Sequence, residues 1–96
     1  MKNIEWKEFV EYAYYGADAF MRYHGRIYQF GGFYETHYCI YIYSWIDDGN
    51  YSDLHEIITL TSDSNEDIWQ QFLNAKIFEG KTIEEAGDDV EFIDWR

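Results

Sequence analysis

Apolar and polar residues repeat with two different periods along the chain, and the changes of period divide it into three stretches. In the first, Trp6, Phe9, Val10, Ala13 and Ala17 follow the spacing of one helical face. Asn3 stands where an N-cap would accept an orphan backbone N–H, and Gly16 stands where such a helix would stop.

From Asp18 the texture becomes that of strands. Residues 19–23 and 26–30 flank His24-Gly25, the length of a tight hairpin turn. Gly31-Gly32 is expected to break or bulge the second strand. Residues 37–46 form the strongest strand signal, dense in Tyr and Ile. Cys39, Tyr41, Tyr43 and Trp45 fall on one face, with Tyr38, Ile40, Ile42 and Ile46 on the other. Two readings fit: a central strand covered on both sides, or one covered side and one open, tyrosine-rich side. Asp47-Asp48-Gly49-Asn50 signals a turn, and residues 54–61 read as a fourth strand.

The helical period then returns. Asp63 with Glu66 three residues on resembles a capping box, and Ile68, Trp69, Phe72 and Leu73 form the apolar face of a helix ending near Ala75. Thr82 and Glu85 repeat the box before a short helix that Gly87 closes. Residues 90–95 read as a final extended or docked segment. There is no proline, so turns depend on Gly, Asn and Asp. The predicted class is a two-layer α+β fold. It has an N-terminal helix, a four-stranded antiparallel meander (five if the last segment pairs) and two C-terminal helices over one face. At 96 residues, one domain spans residues 1–96 around one core.

Charge changes the picture more than length does. Nineteen Asp and Glu oppose seven Lys and Arg, a net charge of −12. That balance argues against gripping a nucleic-acid backbone or an anionic membrane, since both need Lys and Arg. Disorder is also disfavoured, because 22% of residues are aromatic. The charge is uneven. Residues 1–46 carry five acids and four bases, whereas residues 47–96 carry fourteen acids and three bases. The net charge of the second half is therefore −11. A lone cysteine, Cys39, rules out an internal disulfide staple. Acidic residues interrupt the start of the chain before any apolar run of signal-peptide length. The run near residues 38–46 is too short for a membrane helix. A soluble cytoplasmic protein is the expectation.

Candidate chemistry is sparse. His24, His37 and His55 show no HExxH or HxH spacing, and Cys39 with His37 lacks both further metal ligands and an orienting group. Read as calcium loops, windows opening at Asp48 or Asp63 place Asp53 or Ile68 where the EF-hand needs Gly. Gly31-Gly32 is no phosphate loop, and Ser44, Ser52, Ser62 and Ser64 lie in no nucleophile elbow. The aromatics invite base stacking, but Arg22, Arg26 and Lys81 are too few to frame it. Catalysis is not expected, and no metal or cofactor is implied.

The acidic half points instead to a protein partner. Fixed carboxylates can imitate the phosphate spacing of DNA and occupy the basic groove of a nuclease or another nucleic-acid-handling protein. The carboxylates assigned to this role are Asp47, Asp48, Asp53, Glu56, Asp63, Glu66, Asp67, Glu84, Glu85, Asp88, Asp89, Glu91 and Asp94. Counter-defence proteins of phages and mobile elements are the class analogy. A second reading is an immunity protein or antitoxin capping a basic toxin, with Tyr34, Tyr38, Tyr41, Tyr43 and Tyr51 as anchors. A third is a domain whose charge serves solubility alone. The tyrosine-rich sheet face also offers a homodimer contact.

The run FLNAKIFEGKTI at residues 72–83, followed by an acidic stretch closing in Phe92-Ile93-Asp94-Trp95, resembles the C-terminal part of a family of short, acidic, uncharacterised bacterial and phage proteins. The resemblance implies a bacterial or phage origin and carries no activity.

Overall fold

The computed structural model describes residues 18–95; the expected N-terminal helix carrying Trp6, Phe9, Val10, Ala13 and Ala17 lies outside them. Strands β1 (Ala19–Tyr23) and β2 (Arg26–Tyr34) pair antiparallel around His24 and Gly25. Both turn residues have positive φ, 47° and 77°, matching the twist of a two-residue hairpin. Gly25 adopts this freely, while His24 adopts it with its ring stacked on Tyr23, centroids 3.8 Å apart.

Strand β3 (Tyr38–Ile46) pairs with β2, and strand β4 (His55–Ser62) pairs with β3. The last segment is a fifth strand, β5 (Glu91–Trp95), against β1. The sheet order is β4-β3-β2-β1-β5, antiparallel throughout. One expectation is corrected here. Gly31-Gly32 neither breaks nor bulges β2, whose register with β3 runs unshifted from Arg26↔Ile46 to Tyr34↔Tyr38. Gly31 is needed because the Tyr41 ring lies against its backbone, where any side chain would collide.

Helix α1 (Asn65–Asn74) and the short helix α2 (Ile83–Ala86) carry the chain from β4 back to β5. Ser64, one residue beyond the expected Asp63, is the α1 N-cap and accepts the Asp67 N–H. The expected box at α2 is complete: Thr82 accepts the Glu85 N–H, and Glu85 accepts the Thr82 N–H. A 3-10 turn (Gly87–Asp89) leads into β5, with Gly87 at φ 59°.

The core lies between the sheet and this helical layer. Met21, Tyr28, Phe30, Ile40 and Ile42 meet Ile68, Phe72, Phe78 and Ile83, all buried. Phe78 is the hub of the aromatic packing, with its ring 5.3 Å from Tyr23, 4.7 Å from Tyr28 and 6.2 Å from Phe30. Trp69 and Leu73 flank the buried stripe of α1. Cys39, Tyr41, Tyr43 and Trp45 lie on the opposite sheet face, so the alternation along β3 falls as the sequence predicts. On that face Cys39 and Trp45 are buried, Tyr41 is half-buried and Tyr43 is exposed.

Candidate functional site

The β1–β2 turn, the loop 47–54 and the start of β5 share one end of the sheet, because Arg26 pairs with Ile46 and Arg22 with Glu91. The Asp47 N–H donates to the Gly25 carbonyl at 3.0 Å and ties loop to turn. Three side chains gather carboxylates there. Arg22 Nε donates to Asp47 Oδ2 at 2.7 Å, and its Nη1 donates to Glu91 Oε2 at 3.1 Å. These two bonds raise the guanidinium pKa still further. Arg26 donates to Asp53 Oδ2 at 3.0 Å, to the Asp53 carbonyl at 3.2 Å and to the buried Ser44 hydroxyl at 3.0 Å. His24 Nδ1 lies 3.0 Å from Glu79 Oε2, and its Nε2 lies 3.7 Å from Asp89 Oδ2. With Asp48 and Asp88 alongside, exposed carboxylates outnumber the cations at this end.

The loop is internally built. Asp48 accepts the Asn50 N–H at 2.9 Å and the Ser52 hydroxyl, and these bonds, the hydroxyl foremost, hold its carboxyl below the usual range. Ile46 N–H donates to the Ser52 carbonyl at 2.8 Å. Tyr51 and Asp53 both take left-handed backbone conformations, φ 54° and 56°. Tyr51 pays strain there, whereas an aspartate such as Asp53 tolerates this region. The result positions the Tyr51 ring 5.2 Å from that of Trp45.

Beside the acidic end, Tyr51 and Trp45 join Phe20, Ile27 and Ile93 to wall an open groove of about 270 Å³. The Arg22–Asp47 pair forms its polar side, and Gly49 also lines it. Trp45 is 9% exposed, whereas Tyr51 is 62% and Ile93 40% exposed. The groove thus has a firm floor and accessible edges.

The other assigned residues are not all here. Glu56 is near the start of β4, opposite Tyr43, and accepts the Thr59 hydroxyl. Asp63, Glu66 and Asp67 lie at the opposite end, where β4 passes into α1. There Asp67 accepts the Ser62 hydroxyl and the Gln71 amide, which hold its carboxyl below the usual range. Glu84 and Glu85 open α2, and the Thr82 cap lowers the Glu85 pKa. Asp94 pairs with Phe20 in the register of β5. The tyrosines also divide. Tyr34 and Tyr38 pair at the far end, centroids 4.8 Å apart, and Tyr38 packs against the core. Tyr41 and Tyr43 pair on the other sheet face, and only Tyr51 of the five lines the groove. The carboxylates therefore fall into groups, with the largest at the hairpin end.

Sequence reasoning missed Glu79, whose role follows from a turn with Gly80 that faces His24 across a long sequence separation. It also missed the groove and a polar cluster around Asp18. Asp18 accepts the Tyr41 hydroxyl at 2.6 Å and the Gln29 amide at 2.9 Å. Burial first, then this bond, push the Tyr41 pKa up to about 12. His37 contacts Thr36 at 3.0 Å, just before β3 begins. Burial raises the Cys39 thiol pKa, and the Glu56 charge adds to the effect, so the sulfur is held as a thiol. Among the described residues, no group of three or more His, Cys, Asp and Glu is arranged to hold a metal ion. No helix among them is long and apolar enough to cross a membrane. Comparison with family models, curated proteins and solved structures returns no match.

Proposed function

We propose that the protein is a non-enzymatic acidic binding domain that inhibits a basic nucleic-acid-handling protein by presenting a DNA-like set of carboxylates. Counter-defence proteins of phages and mobile elements are the class analogy for this reading. The observation that carries the reading is the gathering of Asp47, Asp53, Glu79, Asp89 and Glu91 around three side chains at one sheet end. Hydrogen bonds restrain Asp47, Asp53, Glu79 and Glu91, so little ordering entropy is lost when a basic surface meets them. Arg22 and Arg26 are already engaged there, which leaves the outward field negative.

The groove supports a second reading, an immunity protein or antitoxin. Anchors in such interfaces sit in apolar pockets ringed by charge, and Tyr51 beside Trp45 fits that arrangement.

The test is capture of partners on the immobilised full-length protein, with salt washes and DNA competition. A basic nucleic-acid-handling protein released by DNA supports mimicry. A single toxin that DNA does not release supports the second reading. No partner at low salt would leave the charge with a solubility role and remove both.

A further inference from the structure

We propose that the groove between Phe20, Trp45, Tyr51 and Ile93 receives one bulky apolar side chain of a partner protein, carried on a segment whose flanking lysines or arginines meet Asp47, Asp48, Asp53 and Glu91. The inference rests on the acidic-binding reading above and adds an anchor to it. The walls are aromatic and aliphatic, which favours an apolar side chain inside. Charge complementarity selects its neighbours. The polar side of the groove is the Arg22–Asp47 pair, and Arg22 is matched again by Glu91 at 3.1 Å. Arg26 is matched by Asp53 at 3.0 Å. Cations near the groove are thus neutralised while carboxylates remain in excess, so a basic segment is attracted and an acidic one repelled. The groove volume of about 270 Å³ suits one large side chain rather than a folded ligand.

The experiment is an NMR titration of the full-length protein with two capped peptides, KRLRK and KRSRK, at low salt. Burying the leucine predicts roughly tenfold tighter binding for the first peptide. It also predicts shifts at the Trp45 indole and at Ile93, and loss of the difference in Tyr51→Gly. Ile93→Ser is a second variant, exposed enough to leave the fold intact, and it should also erase the preference. Equal binding of both peptides, with salt-sensitive shifts confined to the carboxylate-bearing loops, overturns the anchor and leaves the charge reading standing. Absence of binding by either peptide overturns both. A dimer in sedimentation whose groove signals ignore the peptides also overturns the anchor and assigns the groove to a second copy of the chain.

Discussion

The Tyr41 ring lies across the backbone of Gly31, its cross-strand partner, in the space a side chain at residue 31 would fill. That close approach lets the hydroxyl reach Asp18 at 2.6 Å. Gly31→Ala should therefore displace the ring and cost roughly 1–3 kcal/mol, the usual penalty for overpacking. Urea denaturation measures it. In a Tyr41→Ser background the Gly31→Ala penalty should shrink, because the ring no longer fills that space and only the Asp18 carboxylate still borders it. Strict additivity of the two changes would refute the steric account.

Tyr41 also sets an alkaline limit. Its folded pKa is pushed up to about 12, above the usual tyrosine value of about 10. A raised pKa means the folded state favours the protonated phenol. The associated stability is complete below pH of about 10 and is lost as pH rises through the folded value. An ultraviolet absorbance titration should show one tyrosine ionising late. In Asp18→Asn that tyrosine should ionise earlier, since the hydrogen bond to a carboxylate and its charge are both removed.

Local chemistry was the legible part of this fold. The His24-Gly25 gap and the Thr82/Glu85 box depend only on neighbours in the chain, and both form as the spacing predicts. The α1 cap shifted by one because Asp63 and Ser64 are both competent caps, and spacing alone does not choose between them. Gly31 is ambiguous in sequence because a strand glycine marks either a bulge or a close approach, and only the contacts of Tyr41 and Asp18 decide. The uneven charge pointed to the acidic half, but register decides which carboxylates meet. Glu79 joins His24 across the fold, whereas Asp63 and Glu66 are carried to the far end. The groove was invisible for the same reason, since Phe20, Trp45 and Ile93 come from three separate strands.

Tyr23 is 1% exposed, and its hydroxyl has no hydrogen-bond partner among the described residues. An unsatisfied buried hydroxyl carries a desolvation cost with no return. Tyr23→Phe keeps the ring against Tyr28 and Phe78 and removes that cost. Thermal or urea unfolding should show a gain of about 1 kcal/mol. A clear loss would mean the hydroxyl is satisfied in solution.

Tyr51 should separate stability from binding. Glycine at its φ of 54° relieves strain of roughly 1–2 kcal/mol. Losing the ring contact with Trp45 forfeits about 0.5–1.5 kcal/mol. These effects nearly cancel, so Tyr51→Gly should unfold within about 1 kcal/mol of the parent. The same substitution removes an exposed wall of the groove. A stability change much larger than this would show that Tyr51 is structural and not kept for contact.

The placement of charge, and not its total, should govern association with a basic partner. Glu79→Gln with Asp89→Asn removes two charges from the hairpin end, beside His24. Asp63→Asn with Glu66→Gln removes two charges from the opposite end. Both double variants have the same net charge, so a field acting through total charge alone predicts equal losses. Docking through the hairpin end predicts a several-fold fall in association rate for the first pair, within the roughly 10- to 1,000-fold range of electrostatic steering. The second pair should change it little. Stopped-flow or surface-plasmon association rates against the captured partner, at two salt concentrations, make the comparison. Equal slowing by both pairs would remove the hairpin end as the docking site.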